Sequence, residues 1–136
     1  MPRHITVEEL KQKVGKTWLM LNYTIGKELL GRFAAAVGDV SSRWQTEVPP
    51  ALLATVGLGQ VSEQLVAMSC AVLHGGTEME YFSKVNVGDT ITVVVGVESV
   101  REHASNTFVQ LKIEQYIQRD VLVVRCKQLI ALRSIA

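Results

Sequence analysis

Thr90-Ile91-Thr92-Val93-Val94-Val95-Gly96-Val97-Glu98 is the stretch from which the fold can be read. Ile91, Val93, Val95 and Val97 alternate with Thr90, Thr92 and Glu98. Successive side chains of a strand point to opposite faces, so this period of two marks a half-buried antiparallel strand. The pattern continues downstream. Val109, Leu111 and Ile113 alternate with Gln110, Lys112 and Glu114, and Leu122, Val124, Cys126, Ile130 and Leu132 are assigned to one face of a last strand. Polar turns at Arg101 to Asn106 and at Gln118-Arg119-Asp120 separate these runs. Upstream, Thr77 to Val85 follows Gly75-Gly76 as a further strand, and Asn86-Val87-Gly88-Asp89 turns the chain into Thr90. Four strands in a meander are therefore expected.

Before these strands the period is helical. Thr6 and Glu9 form a capping box, in which a threonine hydroxyl accepts from the backbone three residues on, and Gly15 ends the short helix. Thr17 to Tyr23 carries Trp18, Leu19, Met20 and Leu21 and reads as a first strand. Thr24 is placed as the cap of a second helix. Its apolar face is Leu29, Leu30, Phe33, Ala34 and Val37, and Gly38 stops it. Asp39 to Pro50 is a loop. Pro49-Pro50 opens a third helical region through Leu52, Leu53, Val56, Val61, Leu65 and Val66, broken by Gly57 and Gly59. Helices grouped ahead of antiparallel strands give an α+β fold with a helical layer on one face of a curved sheet. The uncovered edges and outer face call for dimerisation.

The chain has 136 residues, of which 48% are hydrophobic and 20% charged, so one globular domain over residues 1–136 is expected. A formal net charge of +1, with no basic cluster, argues against nucleic acid and anionic membrane as partners. Cys70 and Cys126 stand far apart outside any metal-ligand spacing, so they read as small buried hydrophobes in a reducing compartment, with no metal. Met1-Pro2-Arg3-His4 leads into a polar helix rather than an apolar signal core, and the apolar runs are strand-length. A cytoplasmic protein without a cofactor is the expectation.

Two blocks carry a resemblance. Val14-Gly15-Lys16, Tyr23-Thr24-Ile25-Gly26-Lys27 and Phe33-Ala34-Ala35-Ala36-Val37-Gly38-Asp39 form the first. Leu73-His74-Gly75-Gly76-Thr77-Glu78-Met79-Glu80-Tyr81, followed by Gly88-Asp89-Thr90, forms the second. Together they resemble MaoC-like hydratases, in the branch similar to the dehydratase region of type I fatty-acid synthases. Pro49-Pro50 stands where that branch carries a P-P-T-F-like element. The resemblance implies a hotdog fold, a five-stranded antiparallel sheet wrapped around a helix. It also implies pairing with a second hotdog, and a site that binds acyl-CoA or acyl-carrier-protein thioesters and adds water reversibly to a 2-enoyl thioester.

That reaction needs a proton removed at C2 and one delivered to the C3 oxygen, work shared by a carboxylate and an imidazole. In the family these groups lie in G-D-x-N-P-x-H. Here Gly38-Asp39 is present, but Ser41, Ser42 and Trp44 stand at the asparagine, proline and histidine positions. An indole donates a hydrogen bond and cannot accept a proton. Three readings stay open. The chain is the non-catalytic half of a two-hotdog enzyme; or His74 substitutes, assisted by Glu78 or Glu80, in a homodimeric hydratase or thioesterase; or only acyl-CoA binding is kept. Asp39 and His74 are the candidate catalytic residues, each with an alternative role in a hydrogen-bonded turn. Trp44, His74, Gly75 and Gly76 are the candidate substrate-binding residues. Trp44 serves equally as core, Gly75-Gly76 as a backbone device, and Glu78 and Glu80 as a solvated strand face. His4 and His103 read as solvated.

Overall fold

The computed structural model describes residues 6–39, 41–67 and 70–134. Helix α1 (Val7–Gln12) starts as expected, with Thr6 Oγ1 accepting from the Glu9 N–H at 3.2 Å. Fully buried Leu10 anchors it. Gly15, at φ +79°, then donates its N–H to Val97 O and leads into strand β1 (Thr17–Thr24).

Thr24 does not cap the next helix. It pairs with Thr90 at the end of the β1–β3 ladder, where the two hydroxyls lie 3.1 Å apart, and this pairing keeps it extended. Gly26 is the N-cap of α2 (Lys27–Val37), without a side-chain cap, and Gly38 closes the helix in the left-handed region. The expected apolar face is only partly used. Leu30 is buried, whereas Leu29 and Val37 are exposed, because α2 packs mainly on the 3-10 turn Ser42–Gln45.

The third helical region is broken, as its glycines suggest. Pro50 opens α3 (Pro50–Leu53), and α4 (Leu58–Val66) begins after Gly57. Gly57 has φ +86°, and a Cβ there would lie 3.2 Å from Val93 Cγ1. The break thus needs glycine twice over, for its backbone angle and for its approach to the sheet. Leu52, Leu53, Val61 and Leu65 from this pair meet Ile91, Val93, Val95, Leu111 and Ile113 from the sheet in one core.

The remaining strands are β2 (Cys70–Tyr81), β3 (Thr90–His103), β4 (Asn106–Ile117) and β5 (Val121–Ser134). They form one antiparallel sheet with β1, in the order β1-β3-β4-β5-β2. This is the α+β hotdog arrangement, but the four-strand meander needs correction. Only β3-β4-β5 is a meander. β1 occupies the other edge of β3, so β2 pairs with β5 on the far side of the sheet. β2 also begins earlier than expected, running through Gly75-Gly76, and stops at Tyr81 rather than Val85. A bulge in β5 opposite Gln115/Tyr116 removes Leu122 from the inner face and buries Val123. That inner face includes Gln128, and the inner face of β4 includes Gln115, whose Nε2 donates to Leu53 O at 2.7 Å.

Candidate functional site

The sequence candidates fall in two places. The first is the loop after α2. Asp39 donates its N–H to Ala34 O, completing the helix end, and its carboxylate has two partners. Oδ1 accepts from the Ser41 N–H at 3.1 Å, and Oδ2 accepts from Trp44 Nε1–H at 2.5 Å. Ser41 Oγ in turn accepts from the Arg43 N–H and starts the 3-10 turn that carries Trp44. The indole, which the resemblance sets at the family's histidine position, thus lies against the carboxylate five residues before it. Asp39 serves the turn and holds the indole at once, and neither partner presents a proton acceptor and donor pair.

Around Trp44 the charges neutralise one another. Arg43 stacks over the indole at 4.9 Å and donates to Glu47 at 2.9 Å, while Lys84 reaches the same carboxylate at 3.2 Å. The hydrogen bond from Arg43, then that from Lys84, holds the Glu47 carboxyl below its ordinary value. Trp44 borders two cavities of about 260 Å³, one beside Lys27, Leu30 and Gly31, the other beside Pro50, Tyr81 and Phe82. The Tyr81 hydroxyl donates to Pro50 O at 3.1 Å, and desolvation pushes its pKa up.

The second place is β2. His74 Nε2 and Thr77 Oγ1 lie 2.7 Å apart. Residues three apart on a regular strand face opposite ways. The register slips between His74 and Gly76, and this bulge turns both side chains to the same side. A Cβ on Gly75 would come within 3.3 Å of Leu129, side chain and carbonyl alike, whereas one on Gly76 would meet nothing within 4 Å. Neither glycine has a left-handed backbone, and neither lines the cavity that His74 lines. Their work is the bulge.

That cavity holds about 370 Å³ between α4 and the sheet, and its lining is mostly apolar: Leu58, Val61, Leu65, Val72, Met79 and Ile130. His74, Thr77 and Gln128 are among its polar members. Gln128 had no sequence signal of its own beyond sharing the alternation of Cys126 and Ile130. Glu78 and Glu80 alternate with Thr77 and Met79, so they point to the other face. There they stand exposed opposite Lys127 and Arg125, and are not placed to assist His74. His74 lines the cavity beneath α4, whereas Asp39 holds Trp44, which borders other cavities. His103 is exposed at the end of β3, and His4 and the Cys70 side chain lie outside the described residues. Cys126 is buried, and desolvation raises its thiol pKa. Among the described residues no three His, Cys, Asp or Glu side chains gather as a metal site would need, and no helix is long and apolar enough to cross a membrane.

Residues 12–126 match the family model of the FAS1-like dehydratase domain region. The chain belongs to that family. This dehydratase-region hotdog is also similar to a UPF0336 protein of Streptomyces coelicolor, 28% identical over 107 residues that cover 66% of this chain and 71% of the relative. Solved structures share its fold, among them the following two. An (R)-hydratase from A. caviae involved in PHA biosynthesis superposes with a TM-score of 0.69 at 22% identity, covering 82% of this chain and 91% of its own. The HadBC (3R-hydroxyacyl-ACP dehydratase) complex from Mycobacterium tuberculosis gives 0.66 at 13% identity, covering 85% and 92%.

Proposed function

We propose that this chain is the substrate-holding, non-catalytic hotdog of a two-hotdog enoyl-thioester hydratase or 3-hydroxyacyl-thioester dehydratase. A second hotdog chain with an intact Asp…His pair supplies the proton transfers, and the substrate is an acyl-CoA or acyl-carrier-protein thioester. The observation that carries this reading is the Trp44–Asp39 hydrogen bond. The ring against the carboxylate, at the position that by resemblance is the family's histidine, is a donor only, and this supports a role without the proton transfers. A general acid–base pair contributes about 10²–10⁴-fold to such a reaction, too much to lose without a replacement elsewhere. Membership of the dehydratase-region family and the likeness to a two-chain dehydratase complex support the division of labour. The setting would be the cytoplasm.

Co-expression with a hotdog chain bearing G-D-x-N-P-x-H tests this. Co-purification and hydration of crotonyl-CoA by the pair are expected. Full hydration by this chain alone would refute it.

One observation favours a second reading. The His74–Thr77 pair at the apolar cavity would give a homodimeric hydratase or thioesterase a base of its own. Loss of turnover in a folded His74→Ala variant of the isolated chain would establish it. Saturable thioester binding without turnover, beside every hotdog partner, would instead leave an acyl-CoA-binding protein.

A further inference from the structure

The cavity beneath α4 is not a plain hydrocarbon slot. Gln128 borders it and is only 6% exposed. An amide offers two N–H donors and a carbonyl acceptor. Among the described residues, its one hydrogen bond is a weak one, from Nε2 to Cys126 Sγ at 3.7 Å. The His74–Thr77 pair stands on the same cavity, turned inward by the Gly75 bulge. The rest of the wall is Ala54, leucine, valine, methionine and isoleucine, with two hydroxyls, Ser62 and Thr55, the latter already donating to Leu52 O at 2.8 Å. A ligand pocket of mainly apolar walls with a few convergent polar groups selects a mainly apolar ligand with a polar atom at a fixed position. A bare alkyl chain laid against Gln128 would strip water from its amide and return no hydrogen bond, which disfavours such a ligand.

We propose that the cavity takes an acyl group carrying a hydroxyl or oxo oxygen along its chain, beyond the carbons that react, and that Gln128 reads this oxygen with His74 and Thr77 beside it. The inference rests on the substrate-holding reading above. That reading places the thioester and the reacting carbons at the partner's dyad, so what lies beneath α4 is the remainder of the chain.

Calorimetric titration tests it with decanoyl-CoA and its monohydroxylated derivatives, the hydroxyl placed at successive carbons beyond the third. Both the chain alone and its complex with the catalytic hotdog would be titrated. At least one derivative should bind about tenfold tighter than decanoyl-CoA, the worth of one well-placed hydrogen bond. Gln128→Leu, close in size and apolar, should abolish that preference while still binding decanoyl-CoA. Decanoyl-CoA binding as tightly as every derivative, or a preference that survives Gln128→Leu, overturns the proposal and leaves the substrate-holding role standing. Should Gln128→Leu fail to fold, the comparison on the unmodified protein decides alone. Failure of every thioester to bind either form overturns the substrate-holding role itself, and this proposal with it.

Discussion

Trp44 Nε1 donates to Asp39 Oδ2 at 2.5 Å across a separation of five residues. The same carboxylate accepts the Ser41 N–H through its other oxygen, so one side chain sets both the turn and the ring. The ring so held is a donor only and offers the carboxylate no proton acceptor.

Exchanging the ring should return the acceptor. Trp44→His should place an imidazole against Asp39. The isolated chain should then hydrate crotonyl-CoA at a rate about 10²-fold above the unmodified chain, the lower end of what a positioned acid–base pair supplies. Trp44→Phe, lacking any ring nitrogen, should give no gain. The rise or its absence is read from the absorbance of the enoyl thioester.

The same Trp44→Phe change tests the structural half of the bond. A hydrogen bond to a carboxylate at the protein surface is worth about 0.5–1.5 kcal/mol, and a loss of that size is expected in urea unfolding. A loss near zero would mean that the bond does not organise the loop.

Gly57 joins α3 to α4 at φ +86°, with Val93 Cγ1 3.2 Å from where a Cβ would sit. Gly57→Ala should cost about 1–3 kcal/mol from the backbone angle and the contact together. Gly76→Ala, in open space, should cost well under that. Denaturant midpoints of the two variants check the difference.

Glu47 gives a pH dependence of known sign. Its carboxyl is held below its ordinary 4.5 by Arg43 first and Lys84 second. A depressed folded pKa means stability that is present above the unfolded value and is lost as pH falls through the folded one. Glu47→Gln should therefore lower Tm at neutral pH, and the gap from the unmodified protein should close in acid below the ordinary carboxylate range. The pair is open to solvent, so added salt should shrink the gap as well.

For the proposed function, His74→Ala in the complex should raise KM for a long acyl thioester while kcat stays within about twofold, the signature of lost ground-state binding. A collapse of kcat would move the chemistry to His74.

Much of the fold was legible because its signals are local. The alternation from Ile91 to Val97, the Thr6–Glu9 capping box and the break at Gly57 all depend on neighbours in sequence. What depends on distant pairing was misread. Ala71-Val72-Leu73 before the glycines suits either the tail of a helix or a strand, and only pairing with β5 decides it. Thr24 looked like a cap because its role comes from Thr90, far along the chain. Gln115 and Gln128 were passed over because they are polar, although each sits on the same alternation as its buried apolar neighbours. At the site, Trp44 five positions after Asp39 was visible in the sequence. Its bond to Asp39, and the bulge that sets His74 beside Thr77, required the folded chain.

The most direct measurement is the crotonyl-CoA hydration rate of a fixed amount of the catalytic hotdog as this chain is added. The rate should climb and level off near equal amounts of the two chains, with only a trace from this chain by itself. Hydration by this chain in the absence of any partner, at the rate of the mixture, would contradict the account.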